Sequence, residues 1–269
     1  MNDRMRQFLV LFFTIGQAVV GYLSNVFLTP NVGEISDSFE NYFTPAGITF
    51  AVWGYLYLAL IAYGIYQALP AQRERTIHRR IGGWVALGTA SSAIWPVVWS
   101  QIGLYGTSTF QMTPLWITVL LIAVLTFSLA VATRQLRSLN ETMSGQDRWL
   151  VALPILSYLA WASVATIANV TTLLIGLGWN PGEQGAFWSA AMIVVAALIV
   201  LAVIFDGRNR VGLVGFAAVI LWALVGIYLG NNDKSALVGT TALVATGVVA
   251  LFGVWRFVSL PAKSQQAIA

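Results

Sequence analysis

Apolar residues run along this chain in eight stretches, at 8–28, 46–69, 81–102, 112–133, 149–173, 185–205, 212–230 and 236–256, with short polar segments between them. A stretch of about 20 apolar residues is long enough to cross a ~30 Å hydrocarbon layer as a helix. The pattern therefore predicts an all-α, polytopic membrane bundle of eight transmembrane spans.

The polar positions orient it. Arg4 and Arg6, then Arg73, Arg75, Arg79 and Arg80, then Arg134, Arg137 and Arg148, then Arg208 and Arg210, then Arg256 and Lys263 all fall in connections that share one compartment. Only Lys234 lies opposite. Basic residues resist translocation, so the shared compartment is cytoplasmic and both termini are inside. An odd number of spans would scramble this asymmetry.

Composition narrows the class further. The chain is 58% hydrophobic and 9% charged, against roughly 25% charged in soluble domains. Its basic balance belongs to the cytoplasmic loops, and no basic stripe interleaved with aromatics suggests a nucleic-acid partner. Cysteine is absent, which removes disulfides, thiolate metal sites and cysteine nucleophiles. The first apolar stretch follows Arg4 and Arg6 as a signal peptide would. It is long, however, and Gly21 to Asn25 is no small-x-small cleavage site, so it reads as an anchor.

No ionisable residue falls in the interior of any span, which leaves proton relays and ion-coupled transport without their usual groups. The two lysines sit in a loop and the tail. His78, the single histidine, falls in the basic segment 70–80 and reads as a solvated loop residue.

One connection is long. Residues 29–45 carry Glu34, Asp37 and Glu40 together with Phe39, Tyr42 and Phe43. The aromatics give this external loop an apolar side that fits either a lid over the bundle or an amphipathic surface segment. Pro96 and Pro154 interrupt spans 3 and 5, where each removes a backbone donor and opens space between helices.

Eleven tryptophans need places. Trp84, Trp149 and Trp255 near cytoplasmic ends, and Trp116, Trp179 and Trp188 near external ones, suit an interfacial belt. Trp53, Trp95, Trp161 and Trp222 lie deeper, with Trp99 one turn beyond Trp95. At 1.5 Å rise per residue, Trp95 and Trp161 stand roughly 21 and 18 Å from the inner face, and Trp53 about 20 Å. Three indoles thus share a layer in the outer half, with Asn25, Gln101, Ser157 and Asn169 at similar depth. Such a layer suits a flat apolar ligand; it equally suits a packed core in which each N–H bonds a neighbour.

The same residues resemble a known family. Tyr158 to Asn169, YLAWASVATIAN, is similar to the fifth-helix signature of the TspO/translocator protein (tryptophan-rich sensory protein) family. Span 2 begins TPAGITFAVWGYLYLALIAYGIY, with Trp53-Gly54-x-Leu56-Tyr57, and span 3 holds AIWPVVW, with Trp95 and Trp99 around Pro96. Each string is a weak motif; three in order, with the long first loop, are more specific. Departures occur at Phe43 to Gly47, which lacks the family's tryptophan and second proline, and at Ser92 or Ala93, where an asparagine is common.

The resemblance covers spans 1 to 5. It divides the chain into a TspO-like five-helix membrane domain, 1–178, and an additional three-helix membrane region, 179–269. It implies a pocket opening toward the first loop, and a porphyrin, haem-type or other planar lipophile as ligand. Carried across by position, Trp53 and Trp161 would flank the guest, Trp95 and Asn169 would complete the wall, and 29–45 would be the lid. Tyr57, Trp99, Tyr158 and Asn25 join them as candidate ligand-binding residues.

Four functions remain in view: a receptor or sensor of the inner membrane of a bacterium, a facilitative transporter of a lipophile, a scaffold subunit, and light-dependent porphyrin breakdown. Within the membrane there is no acid/base pair and no metal site for conventional catalysis. The partners to expect are the bilayer, a lipophilic small molecule and a second copy of the chain. Gly212, Gly215, Gly226, Gly239 and Gly247 in spans 6 to 8 are small residues of the kind that allow close helix approach.

Overall fold

The computed structural model describes residues 2–260 except Pro181, and the side chains of all of these but Glu141 and Glu183. Lys263, counted above among the basic residues, lies outside the described residues. Among them are eight helices long and apolar enough to cross a membrane. They are α1 (Asp3–Phe27), α3 (Val52–Ala68, entered through a 3-10 turn at Gly47–Ala51), α4 (Thr76–Trp99) and α5 (Met112–Ser138). α7 (Leu153–Gly176) follows a short α6 (Gly145–Asp147) and a wide turn at Arg148–Ala152. The last three are α8 (Gly185–Asp206), α9 (Arg210–Asn231) and α10 (Ala236–Ser259). A seven-residue helix, α2 (Val32–Ser38), lies in the long first loop.

Most helices outrun their apolar stretches at the cytoplasmic end. A hydrogen-bonded helix persists into water, so hydropathy marks the buried length and not the helix. α4 begins at Thr76, five residues before the apolar onset, and this overturns the reading of His78. The ring is not solvated: it is fully buried on α4, with Nε2 3.1 Å from Gln72 Oε1 and the rings of Tyr63 and Tyr66 at 6.0 and 5.7 Å. α4 also ends at Trp99 instead of 102, which leaves Gln101 exposed in the following loop, bonded to Ser100 and outside the tryptophan layer.

The basic residues gather at one end through mutual contacts. Arg6 is buried and donates to Asp3 (2.7 Å) and to the Arg73 carbonyl (2.6 Å); Arg79 also reaches Asp3 at 2.6 Å. Arg75 grips the buried Asp147 with both terminal nitrogens, at 2.8 and 2.7 Å, and Tyr66 donates to the same carboxylate at 3.0 Å. Gln7 and Gln67 exchange side-chain-to-carbonyl bonds of 2.8 and 3.0 Å between α1 and α3. Arg137 pairs with Asp206, and Arg256 donates to the Gly207 carbonyl. The polar ends of six long helices are laced together on the side the charge pattern makes cytoplasmic.

Helix neighbours run α3–α1–α4–α5–α7, with α3 meeting α7 along a thinner seam. α9 packs on α7, α10 on α9 and α8 on α10. Three of the small residues noted above make the α9 contact. A Cβ on Gly212 would press on Leu156 (2.9 Å), one on Gly215 would overlap Ser157 and Leu153, and one on Gly226 would overlap Thr49. Gly239 lies against Asn232 just beyond the end of α9, where a Cβ would press on it at 2.8 Å, and Gly247 meets nothing.

α9 also holds the segment that leads into α3. Ala46 N–H donates to the Gly226 carbonyl (2.9 Å), Trp222 Nε1 to the Thr49 carbonyl (2.8 Å) and Asn231 Nδ2 to the Thr44 carbonyl (2.9 Å). Irregular backbone at membrane depth is tolerated where protein satisfies it, and α9 does so here.

Candidate ligand-binding site

The external loop lies down on the bundle. Asn31 and Glu34 form a reciprocal capping box that starts α2, at 3.0 and 2.8 Å. α2 then turns Ile35 inward, and Phe39 and Phe43 beyond it are buried too. Phe39 stacks on Tyr105 at 4.7 Å and meets Phe110 edge-on at 5.9 Å. Ser38 Oγ accepts the Tyr105 N–H at 3.0 Å, and Tyr105 Oη donates to the Ile175 carbonyl at 3.1 Å.

Beneath the loop, α7 supplies the common wall. Tyr158, Trp161, Ala165 and Asn169 are spaced so that one helical face carries all four. Trp161 meets Trp53 of α3 edge-to-face at 5.9 Å and Phe50 at 6.1 Å. Trp53 lies 6.0 Å from Tyr158 and 5.3 Å from Tyr57. Trp95 is held apart from this group: it stacks on Trp99 at 4.7 Å and donates to Asn169 Oδ1 at 3.2 Å. Trp99 in turn donates to the Val32 carbonyl of α2 at 3.3 Å. The expected single layer is two aromatic groups, Trp53–Trp161 and Trp95–Trp99, joined through α7.

Below the indoles sits a polar knot that span-by-span reading passed over. Tyr158 Oη lies 2.9 Å from Gln17 Oε1 and 2.5 Å from Ser92 Oγ, tying α7 to α1 and α4. Gln17 was legible only as a lone amide in an apolar stretch. Ser92 stands in the region where an asparagine was expected, and its hydroxyl serves Tyr158 instead. Asn25 is exposed on α1, away from this knot. Ser157 bonds Tyr55 across the α3–α7 seam at 3.0 Å.

Among the described residues, several buried donors have no partner, and two of them belong to this region: Trp161 Nε1, on a side chain 2% exposed, and Gln17 Nε2. α7 also changes character just past Trp161. Residues 154–162 are buried without exception, whereas 163–168 are all half-buried; Trp53, which meets Trp161, and Trp95, which bonds Asn169, are half-buried too.

A cavity of about 790 Å³ opens farther out, between the loop, the outer ends of α7 and α8, and the α9–α10 connection. Phe39, Tyr42 and Tyr105 line it, as do Trp179 and Trp188, which the sequence placed in the interfacial belt. None of the eight candidate residues lines it, and it is not free of charge, since Asp37, Glu40 and Lys234 face it. Trp116, Trp149 and Trp255 are exposed, as belt residues would be.

Eight apolar helices around a buried aromatic core define a polytopic membrane helical bundle. The family described as TSPO-like protein matches residues 7–255. The chain belongs to that family, and the match runs through α10, beyond the first five spans that carry the motif resemblance. No curated protein and no solved structure matches the chain.

Proposed function

We propose that the protein is a membrane receptor or sensor that binds a porphyrin, or a planar lipophile of similar shape, against the α7 wall between Trp161 and Asn169. The observation that carries this reading is the unpartnered Trp161 N–H at the point where α7 loosens from its neighbours. A buried donor without a partner costs about 1–3 kcal/mol, and an acceptor on a guest would relieve it. The indoles of Trp53 and Trp95 supply flat apolar surface on either side, and the apolar lining suits a ligand held by few polar contacts. The folded-down loop fits the part of a cover, and the bacterial plasma membrane is the setting we assign.

Titrating the purified protein with protoporphyrin should quench tryptophan fluorescence saturably. Trp53→Phe combined with Trp161→Phe should weaken that saturable component at least tenfold, equivalent to about 1.4 kcal/mol. Unchanged quenching in the double variant would put the guest elsewhere.

A further inference from the structure

The outer cavity is a different place from the tryptophan wall, and its lining has its own chemistry. One wall is the end of α2 and the residues after it, with Asp37, Glu40 and the ring of Tyr42. This wall is tied to α7 through Ser38, Tyr105 and the Ile175 carbonyl. A second wall is the turn into α8, with the indoles of Trp179 and Trp188. Lys234 forms the third, three residues past the Asn231 that holds Thr44.

Among the described residues, neither carboxylate nor the Lys234 ammonium has a side-chain hydrogen bond or an ion pair. Three unpaired charges of both signs therefore face one concave space beside aromatic faces. Carboxylates with indole and phenol rings attract an organic ammonium, through charge and through the ring quadrupole. A lysine on a separate wall attracts the anion of the same molecule. Ile175 and Thr171 of α7 and Met192 of α8 line the same space, and α8 leans on α10 instead of closing against α7. Trp179 and Trp188 are partly exposed at the external ends of their spans, the depth at which head groups lie.

We propose that this cleft is a second binding site, one that takes an ammonium-bearing zwitterionic head group. The cation sits against Asp37, Glu40 and the indoles, the anion sits at Lys234, and an attached chain runs down between α7 and α8. The same head-group chemistry occurs on a membrane phospholipid and on a free phosphocholine-type solute.

Calorimetric titration of the full chain in an uncharged detergent separates these cases. Dihexanoyl-phosphatidylcholine should bind saturably and at least about tenfold tighter than dihexanoyl-phosphatidylglycerol, which offers the anion alone; that ratio is the scale of one charged hydrogen bond. Asp37→Asn with Glu40→Gln should remove most of this preference, whereas Lys234→Gln, which loses the contact to the phosphate both lipids share, should weaken both at least about tenfold and keep the preference. These side chains are without partners, so the variants keep the fold. Equal affinity for the two lipids, no saturable binding, or variants that match the parent would overturn the proposal. Phosphocholine without chains binding as tightly as the lipid would identify a free solute as the ligand; binding that needs the chains would identify the lipid, and either result upholds the site. Protoporphyrin quenching should be unaffected by Lys234→Gln, so the two sites fail or stand separately.

Discussion

From Pro154 to Ala162 every residue of α7 is buried, while from Ser163 to Ala168 every residue keeps partial access. The difference follows from where the hydroxyls and amides bond. In the inner half Tyr158 reaches across to Gln17 and Ser92, and below it Asp147 joins Arg75 and Tyr66. In the outer half Ser163, Thr171 and Thr172 bond back to carbonyls of their own helix, at 2.8, 2.9 and 3.0 Å. Back-bonding satisfies a hydroxyl without attaching the helix to anything. Thr166, sharing 2.8 Å with Thr126 of α5, and Asn169, accepting from Trp95 of α4 at 3.2 Å, do reach across, and farther out Tyr105 donates to the Ile175 carbonyl. Cross-helix polar bonds thus fasten the cytoplasmic half of α7, whereas the stretch 163–168 is less tightly held, and the helix is buried again at Asn169 and at 171–173.

Breaking the fastened half should have the largest effect. Asp147→Ala takes the carboxylate from both Arg75 and Tyr66 and leaves the guanidinium only the Tyr66 hydroxyl and the Gln72 amide oxygen. A buried pair that loses one partner costs about 3–5 kcal/mol, and with Arg75 one-third exposed the lower end applies. The measurement is the thermal unfolding midpoint in detergent, which should fall clearly below that of the parent.

A smaller effect should come from the contact between α9 and the segment leading into α3. Gly226→Val places a branched side chain where even a Cβ would overlap Thr49, and overpacking of this kind costs about 1–3 kcal/mol. The same variant should raise protease sensitivity around residues 44–49 while leaving the inner half protected from hydrogen exchange. Uniform loss of protection would show that the two halves unfold together.

The sharpest contrast has the smallest amplitude. Tyr158→Phe leaves Gln17 and Ser92 without their shared partner, at about 1–3 kcal/mol. Trp161→Phe removes an N–H that bonds nothing, and relief of its unmet hydrogen bond, about 1–3 kcal/mol, offsets the lost ring volume, so the net destabilisation should stay below that of Tyr158→Phe. If Trp161→Phe destabilises as much as Tyr158→Phe, the outer half is packed as firmly as the inner and the contrast fails.

The spans themselves were legible because lipid forbids unpaired backbone, which makes apolar length nearly synonymous with a helix. Their ends were not, since water tolerates both helix and coil. That is why His78 read as solvated although α4 begins before it and buries it against Gln72 and the rings of Tyr63 and Tyr66. Counting rise per residue placed Trp53 and Trp161 together, and their rings do meet. It could not see that Trp95 turns to Trp99 and Asn169, because depth carries no information about azimuth around a helix axis. The outer cavity was invisible for a different reason: it depends on how α8 leans and on where the first loop lands, both long-range outcomes with no local signature. Trp188 looks the same in the sequence whether it faces lipid or a cleft.

The bonds that α9 makes to the start of α3 bear on how this protein is made. Thr44, Ala46 and Thr49 emerge from the ribosome early, yet the Trp222 and Asn231 side chains that bond them come 173 and 187 residues later. Through most of synthesis that stretch of main chain has to find other partners, in water or in the insertion machinery. The entry to α3 is thus sealed only when the seventh span arrives, and a product truncated after the fifth would carry an unsealed flank.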